Sequence, residues 1–437
     1  MAALRTGVFP GVTPRLIRAD DGRASGSGGL SAEALIDAVA ASGLRGRGGA
    51  AFPLARKLAA VAAGPGPRVV LVNGEEGEPA SVKDRWLLRT RPHLVLDGAL
   101  LAARAVGARD VYVYVSDAAA AASLQAALAG RDDAGRDGAG PSITVVRTEP
   151  SYVAGEETAA VNAVNGKPAK PSDKPPRPFT EGVGGRPTLV SNAETIANLP
   201  AITRQAARGE EPSAGTFLLT LGGAVPRPGL YEVPFGVSVG EAAAVLGGFD
   251  NSNKRVPRGY VMGGYFAGLL NERGAGLPLD YDALRAAGSG LGCGAVTVLG
   301  DGDCPVGAAA LLLSYFGREN AGQCGACFNG TAAMAGVAVA LARGEAGADA
   351  LRRLGHWSGF LPGRGACATL DGAAGIAATL LREFPDAVQA HLTRSEPICA
   401  ATDFLSPAAP FAADPDPITP RAGIPAANGT RRPEAVS

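Results

Sequence analysis

Residues 68–79 read RVVLVNGEEGEP: four aliphatic residues, Val69 to Val72, run into Asn73, a glycine, and then Glu75, Glu76 and Glu78. A short, wholly apolar run closed by a turn marks a strand buried on both faces. The pattern recurs at DVYVYVS (110–116) and SITVVRT (142–148), with LVLDGALLAARAVGA and DAAAAASLQAALAG as helices in between. This βαβ rhythm from residue 31 to 207 predicts a Rossmann-like α/β domain, a parallel sheet with helices on both faces. Ligands of such sheets sit beyond the carboxyl ends of the strands. The acidic turn after Asn73 falls at one such end.

Upstream, residues 42–57 read SGLRGRGGAAFPLARK, between a helical stretch (AEALIDAVAA) and a second one from Leu54. Gly46, Gly48 and Gly49 expose backbone N–H groups beside Arg45 and Arg47, the arrangement of a phosphate cradle at a helix N-terminus. The spacing is neither Gly-x-Gly-x-x-Gly nor a P-loop. On its own the loop reads equally well as an arginine-bearing surface loop, and acidic turns are most often only solvated.

Downstream, residues 167–186 are proline- and glycine-rich and must wrap over a surface. TFLLTLGGAV and RPGLYEVPFG then give two strands with a turn at Pro228-Gly229, and VSVGEAAAVLGG a helix. Four helical patterns follow and predict a C-terminal helical bundle. The expected boundaries are an extended tail over 1–30, the α/β domain over 31–207, a second domain over 213–300, the bundle over 304–395, and a disordered tail over 396–437.

The chain has 437 residues, with 41 Lys plus Arg against 41 Asp plus Glu. Balanced charge removes the general case for nucleic-acid or anionic-membrane partners. No apolar run is read as a membrane span and no secretory signal opens the chain, so a cytoplasmic protein is expected. Six cysteines stand at 293, 304, 324, 327, 367 and 399. In a reducing compartment the Cys324-x-x-Cys327 pair points to a metal or redox site rather than a disulfide.

Six segments in fixed order carry a resemblance: the glycine loop, VNGEEGEPASVKDR, SYVAGEETAA, RPTLVSNAETIANLP, GLPLDYDALRAAGSGLG, and GQCGACFNGTAAM with a later GACA. From about residue 30 to 392 the chain resembles the NADH-oxidising flavoprotein component of bacterial complex I and the diaphorase components of NAD-linked hydrogenases and formate dehydrogenases. The resemblance implies that the second domain is a ubiquitin-like β-grasp (SLBB-type) module. It implies FMN rather than FAD, with one phosphate cradle and no adenine fingerprint, and NADH as substrate.

The cofactor-binding positions it carries over are Gly46, Arg47, Gly48, Gly49, Phe52 and Lys57 in and after the loop, and Asn73, Glu75, Glu76 and Glu78 in the turn. Tyr152, Gly155, Glu156 and Glu157 follow, then Asn192 and Thr195. The resemblance also implies that acidic residues in that set discriminate against the extra phosphate of NADPH. Departures from the family pattern are Gly74 and Glu75 for Ala and Asp, and Ser191 for Asn. On the dinucleotide side Ala51, Leu54, Ala55, Leu58 and Ala60 replace glycines, a threonine and aromatics, and Arg177 stands where an aromatic would be. Weak NADH binding is therefore expected.

For the iron–sulfur site the resemblance gives Cys324, Cys327 and Cys367, with Ala321 at the position of a fourth cysteine. The expected group is a 4Fe-4S or 3Fe-4S cluster whose fourth position is met by water or by an oxygen of Glu319 or Asn320. Zinc, with His356 or water as fourth ligand, is the rival. The resemblance also implies iron–sulfur partners, a thioredoxin-like 2Fe-2S protein or a ferredoxin. Two other readings stay open: a flavoprotein that exchanges electrons with a ferredoxin-like partner and no longer uses NADH, and a structural paralogue without redox chemistry.

Overall fold

A computed structural model describes residues 4–17, 29–131, 140–249, 257–393 and Cys399. The fold is a mixed α/β assembly: a parallel α/β layer, a second mixed sheet, and a helical C-terminal region. The acidic turn of the sequence analysis sits where the first of these meets the other two.

Four parallel strands stand in the order Ser142–Arg147, Asp110–Val115, Val69–Asn73, Thr188–Asn192. The register pairs Asn73 with Tyr114 on one side and with Asn192 on the other, so the carboxyl ends of three strands finish level. Alternation along the central strand explains the layering. Val70 and Val72 join a large core with the helices Ala32–Ala41, Leu54–Ala62, Pro92–Val106 and Ala118–Ala129, whereas Val69 and Leu71 face a smaller cluster with Ala160 and Val161 of the helix Glu157–Val164. Both faces are covered as expected, one of them thinly.

The second sheet has six strands in the order Thr6–Val8, Gly229–Pro234, Thr216–Gly223, Ala295–Leu299, Gly259–Met262, Leu269–Asn271. Its first strand corrects the expectation of an extended tail over 1–30: Thr6–Val8 pairs in parallel with Leu230, Tyr231 and Glu232. The fully buried Glu232 carboxylate then accepts the backbone N–H groups of Arg15, Leu16 and Ile17 at 2.8–3.1 Å and the Thr216 hydroxyl at 2.9 Å. Burial of that charge is tolerated only because donors surround it, and it fixes residues 15–17 against the sheet. Residues 18–28, and 394–437 apart from Cys399, lie outside the described residues, and with them the expected C-terminal tail.

The helical region contains Pro305–Glu319, Gly325–Ala342, Ala348–Phe360 and Thr369–Glu383. The last sequence pattern splits at Phe384, and Pro385 opens a further helix, Pro385–Leu392. By length and composition Gly325–Ala342 could cross a bilayer, which corrects the reading that no run could. Here its Met334, Ala338 and Leu341 are fully buried in a core shared with Leu312, Phe316, Leu370 and Ile376.

Candidate cofactor sites

The turn after Asn73 uses its acceptors unequally. The Asn73 side chain donates to the Gly155 carbonyl at 2.7 Å and accepts from the Glu75 N–H at 3.2 Å, which tethers the turn to the segment 152–158. Glu76 caps the helix Lys83–Thr90, accepting from Ser81 Oγ at 2.6 Å and the N–H groups of Asp84 and Arg85 at 3.2 and 3.0 Å. Its charge is thus committed to the fold. Glu78 lies against Gly264, where a Cβ would meet its carboxyl carbon at 2.3 Å, and burial pushes it up to about 8.

Glu75 is different. It is 6% exposed, yet neither carboxylate oxygen closes a hydrogen bond. Burial pushes its pKa up to about 7, against the lowering influence of neighbouring Ser116 and Ser151. An acceptor left in this state beyond the carboxyl end of a parallel sheet calls for donors from outside the chain. The hydroxyls of a sugar-alcohol chain such as the ribityl of FMN fit that need.

Beneath the turn lies a charge network in which Lys83 and Asp84, of the quoted VKDR, are residues that sequence reasoning did not single out, and which is completed by Asn192 and Glu194 of SNAET. Lys83 is fully buried and pairs with Asp84 at 2.8 Å and Glu194 at 3.1 Å. Burial alone would lower its ammonium; Asp84, Glu194 and Glu76 outweigh that and hold it above its ordinary value. Asp84 accepts from Asn192 Nδ2 at 2.7 Å and from the Glu194 N–H at 3.1 Å, and Glu194 accepts the Leu218 N–H of the second sheet at 2.9 Å. Asn192 itself caps the helix Ala193–Ala197, accepting from the N–H groups of Glu194 and Thr195.

The glycine loop rests on this platform. The Arg47 N–H donates to Thr195 Oγ1 at 2.8 Å, and a Cβ on Gly48 would press on Asn192 Cβ at 3.3 Å. Gly49 has φ +112° and open space where a side chain would project, a conformation that suits glycine. The following Ala51 has φ +52°, in the left-handed region where the resembled family has glycine.

The Arg47 guanidinium corrects the cradle as read from sequence. It is 3% exposed and points away into the second sheet, donating to Ala214 O at 3.0 Å and Thr216 O at 3.1 Å and lying 4.6 Å from the Phe235 ring centre. The loop is left with its backbone and Lys57 to face an anion. Lys57 Nζ donates to Val190 O at 3.0 Å and sits 3.6 Å from Glu157. Phe52 is exposed, with the Arg56 guanidinium 5.6 Å from its ring centre.

Along 151–158, Glu156 caps its own helix and binds Lys174. Glu157 meets Lys57, Lys174 at 3.4 Å and Arg177 at 4.0 Å. Both carboxylates are therefore largely neutralised by cations. Tyr152 packs edge-on against Tyr315 and Phe316 of the helical region, at centroid distances of 5.7 and 5.2 Å, and Tyr315 Oη donates to the Gly77 carbonyl at 3.3 Å. The acidic turn and the helical region are thus joined directly.

On the other side of that joint a recess is lined by Cys324, Cys327 and Cys367, with Pro171, Ala321 and Gln323 among its remaining walls. Cys324 Sγ accepts the Ala366 N–H at 3.4 Å, and Cys367 Sγ lies 3.2 Å from Thr369 Oγ1. Burial, with Cys367 and Cys324 adding to it, pushes the Cys327 thiol up to about 11. Three thiols turned to one cavity fit a soft metal or an iron–sulfur cluster. Ala321 lines the same recess and offers only a methyl group.

Asn320 does not make up the deficit. Its amide donates to Phe316 O and Gly317 O and its carbonyl accepts from Gly322 N–H, closing the helix Pro305–Glu319. His356, the fourth ligand of the zinc reading, stacks on Phe360 at 5.4 Å and is not among the lining residues. Cys304 stands at the far end of Pro305–Glu319, and Cys293 contacts the Gly263 carbonyl.

Residues 39–201 match the Nuo51 FMN-binding domain, and residues 307–391 match the NADH-ubiquinone oxidoreductase-F iron-sulfur binding region. The chain is 32% identical over 380 residues to an NADH-quinone oxidoreductase F subunit (the one numbered 2) of Rhizobium meliloti (strain 1021), covering 84% of this chain and 90% of that protein. With the NADH-quinone oxidoreductase F subunit of Rickettsia felis (strain ATCC VR-1525 / URRWXCal2) the identity is 34% over 383 residues, covering 82% and 89%. Among solved structures, an NAD+-reducing [NiFe]-hydrogenase in the H2-reduced state superposes with a TM-score of 0.79 at 27% identity, over 90% of this chain and 68% of that one.

Proposed function

Because this chain belongs to the family of NADH-quinone oxidoreductase F subunits, we propose that it oxidises NADH through FMN and passes the electrons to an iron–sulfur cluster and on to partner subunits. The observation that carries this reading is the joint between the two sites: Tyr315 Oη on the Gly77 carbonyl and Tyr152 on Tyr315 and Phe316. It brings a turn with an unsatisfied acceptor next to a helical region with three free thiols.

FMN, when bound, supplies the exchange between two-electron hydride chemistry and one-electron transfer. The chain's part is to hold and orient. Glu75 and Asn73 would meet the ribityl hydroxyls, and the backbone of Gly46, Gly48 and Gly49 with Lys57 would meet the phosphate. Gly155, Glu156, Asn192 and Thr195 shape the floor, Glu76 and Arg47 act through the loops they fix, and Tyr152 and Glu78 close the side toward the helical region. Phe52 is the exposed ring left for stacking on a dinucleotide. No side chain is required as a proton donor or base.

Cys324, Cys327 and Cys367 would hold the iron–sulfur cluster, as a three-iron form or as a labile four-iron form with one iron lacking a protein thiolate. The relatives belong to multi-subunit enzymes, and the partners we infer are a thioredoxin-like 2Fe-2S protein or a ferredoxin. Free thiols at a cluster require a reducing compartment, which we read as the cytoplasm. The test is anaerobic titration of the purified, yellow protein with NADH: flavin absorbance bleaches and electron paramagnetic resonance reports a reduced cluster. Bound flavin that NADH leaves oxidised would overturn the reading.

A further inference from the structure

At the end of Pro305–Glu319 remote from Ala321, Cys304 meets His391 and Cys399, which lie 87 and 95 positions further along the chain. Cys304 Sγ lies 3.5 Å from His391 Nε2, and the same nitrogen lies 2.9 Å from Cys399 Sγ. All three ligand atoms fall within 4.8 Å of one another. Cys304 caps the helix, accepting the Gly307 N–H at 3.4 Å, a position that favours a thiolate. Gly307 also makes room: a Cβ there would press on Cys399 Cβ at 3.2 Å.

The histidine gives the cluster its meaning. His391 is 3% exposed, and its Nδ1 lies 2.8 Å from the Ala387 carbonyl. A carbonyl can only accept, so Nδ1 carries a proton and, in the neutral ring, Nε2 presents a lone pair to the two sulfurs. Orientation of a ligating histidine by a backbone carbonyl on its other nitrogen is a recurrent feature of metal sites. In this structure Cys304 and Cys399 are themselves joined as a disulfide. A disulfide, however, faces the Nε2 lone pair with two sulfurs that have no proton to offer, leaving a buried acceptor unmatched. A cation satisfies all three atoms at once.

We propose that Cys304, His391 and Cys399 form a zinc site separate from the iron–sulfur recess, with water as the fourth ligand. Zinc with thiolates at about 2.3 Å and imidazole at about 2.0–2.1 Å in a tetrahedron sets sulfur and nitrogen about 3.5 Å apart, the spacing already present between Cys304 and His391. Cys399 draws back from Cys304 to admit the ion. Binding to the reduced pair releases the thiol protons and involves no electron transfer. The ion ties residue 399 to the first helix of the bundle.

The test is elemental analysis of the full chain, purified anaerobically with reductant after growth with added zinc. We expect about one zinc per chain beside the iron. Cys399→Ser should reduce zinc to trace while iron and flavin are retained, and Cys367→Ser should deplete iron while zinc is retained. Cys399 lies beyond the last described helix, Pro385–Leu392, so its substitution tests the site even if His391→Ala fails to fold. Cobalt in place of zinc should give thiolate charge-transfer absorption that Cys304→Ser weakens. Zinc that is absent from the wild type, persists in Cys399→Ser, or leaves with Cys367→Ser would overturn the proposal. So would anaerobic thiol trapping that finds Cys304 and Cys399 joined in a disulfide.

Discussion

The turn at 73–79 and the recess around Ala321 handle polar groups in opposite ways. Around the turn, nearly every charge is already used: Glu76 caps a helix, Lys83 is locked between Asp84 and Glu194, and Arg47 is turned toward Phe235. One acceptor, Glu75, is left over. In the recess the three thiols are only lightly engaged and the fourth wall is a methyl group. A flavin binds an assembled surface, so its site can be rigid beforehand; a cluster is bonded to its ligands, so their number decides what forms.

That contrast breaks first at Lys83. Lys83→Met removes the cation between Asp84 and Glu194 at full burial, and loss of one partner of such a pair costs about 3–5 kcal/mol. Urea unfolding should show that loss, and flavin should wash out on gel filtration; a flavin-retaining variant of near-wild-type stability would mean that the platform is not needed. The second test acts on ligand number. Ala321→Cys should convert a three-iron or labile four-iron cluster into a stable four-iron cluster while leaving flavin content unchanged. Iron and sulfide analysis with electron paramagnetic resonance checks this, and a stable four-iron cluster already in the wild type contradicts it.

Glu75 sharpens the comparison through pH. Its carboxyl is raised from 4.5 to about 7 in the folded chain, so over that window the folded state keeps a proton that the unfolded state has released. Stability of the flavin-free protein therefore falls as pH rises through the window and is level above it for this group, by on the order of 3 kcal/mol. Glu75→Gln should flatten much of that slope in urea titrations, leaving the part due to Glu78, and should weaken FMN retention. An unchanged slope would show that the carboxyl is not held protonated.

The smallest effect is expected at Arg177, exposed and 4.0 Å from Glu157. Arg177→Ala should restore some of the negative field and shift preference from NADPH toward NADH by about twofold, since an exposed pair is worth less than about 1 kcal/mol. The shift should vanish at high salt.

The α/β layer was legible in the sequence because period and turn chemistry act over a few residues: RVVLVNG could be little other than a buried strand. That Cys324 and Cys327 would share one recess was legible from their Cys-x-x-Cys spacing, whereas Cys367 came only from the family resemblance. Side-chain direction was not legible. Arg47 and Glu76 have the composition of ligands, and only the placement of Thr216 and of Ser81 shows them committed to the fold. Thr6–Val8 was missed because a three-residue strand has no period to read and its partner, Leu230 to Glu232, lies at the other side of the α/β layer in sequence. The meeting of Cys304 with His391 and Cys399 was hidden likewise, because helix ends brought together by packing leave no local mark.

Arg47 also bears on whether these layers are exchangeable parts. Its backbone belongs to the glycine loop, but its guanidinium is housed by Ala214, Thr216, Phe235 and Tyr281. Residues 31–207 excised alone would carry a buried cation stripped of its housing, and a chimera grafting that stretch onto a relative's second sheet would inherit a mismatch at the loop itself. Evolution of the glycine loop is in this sense yoked to positions outside its own layer, and those positions are the ones to transplant with it.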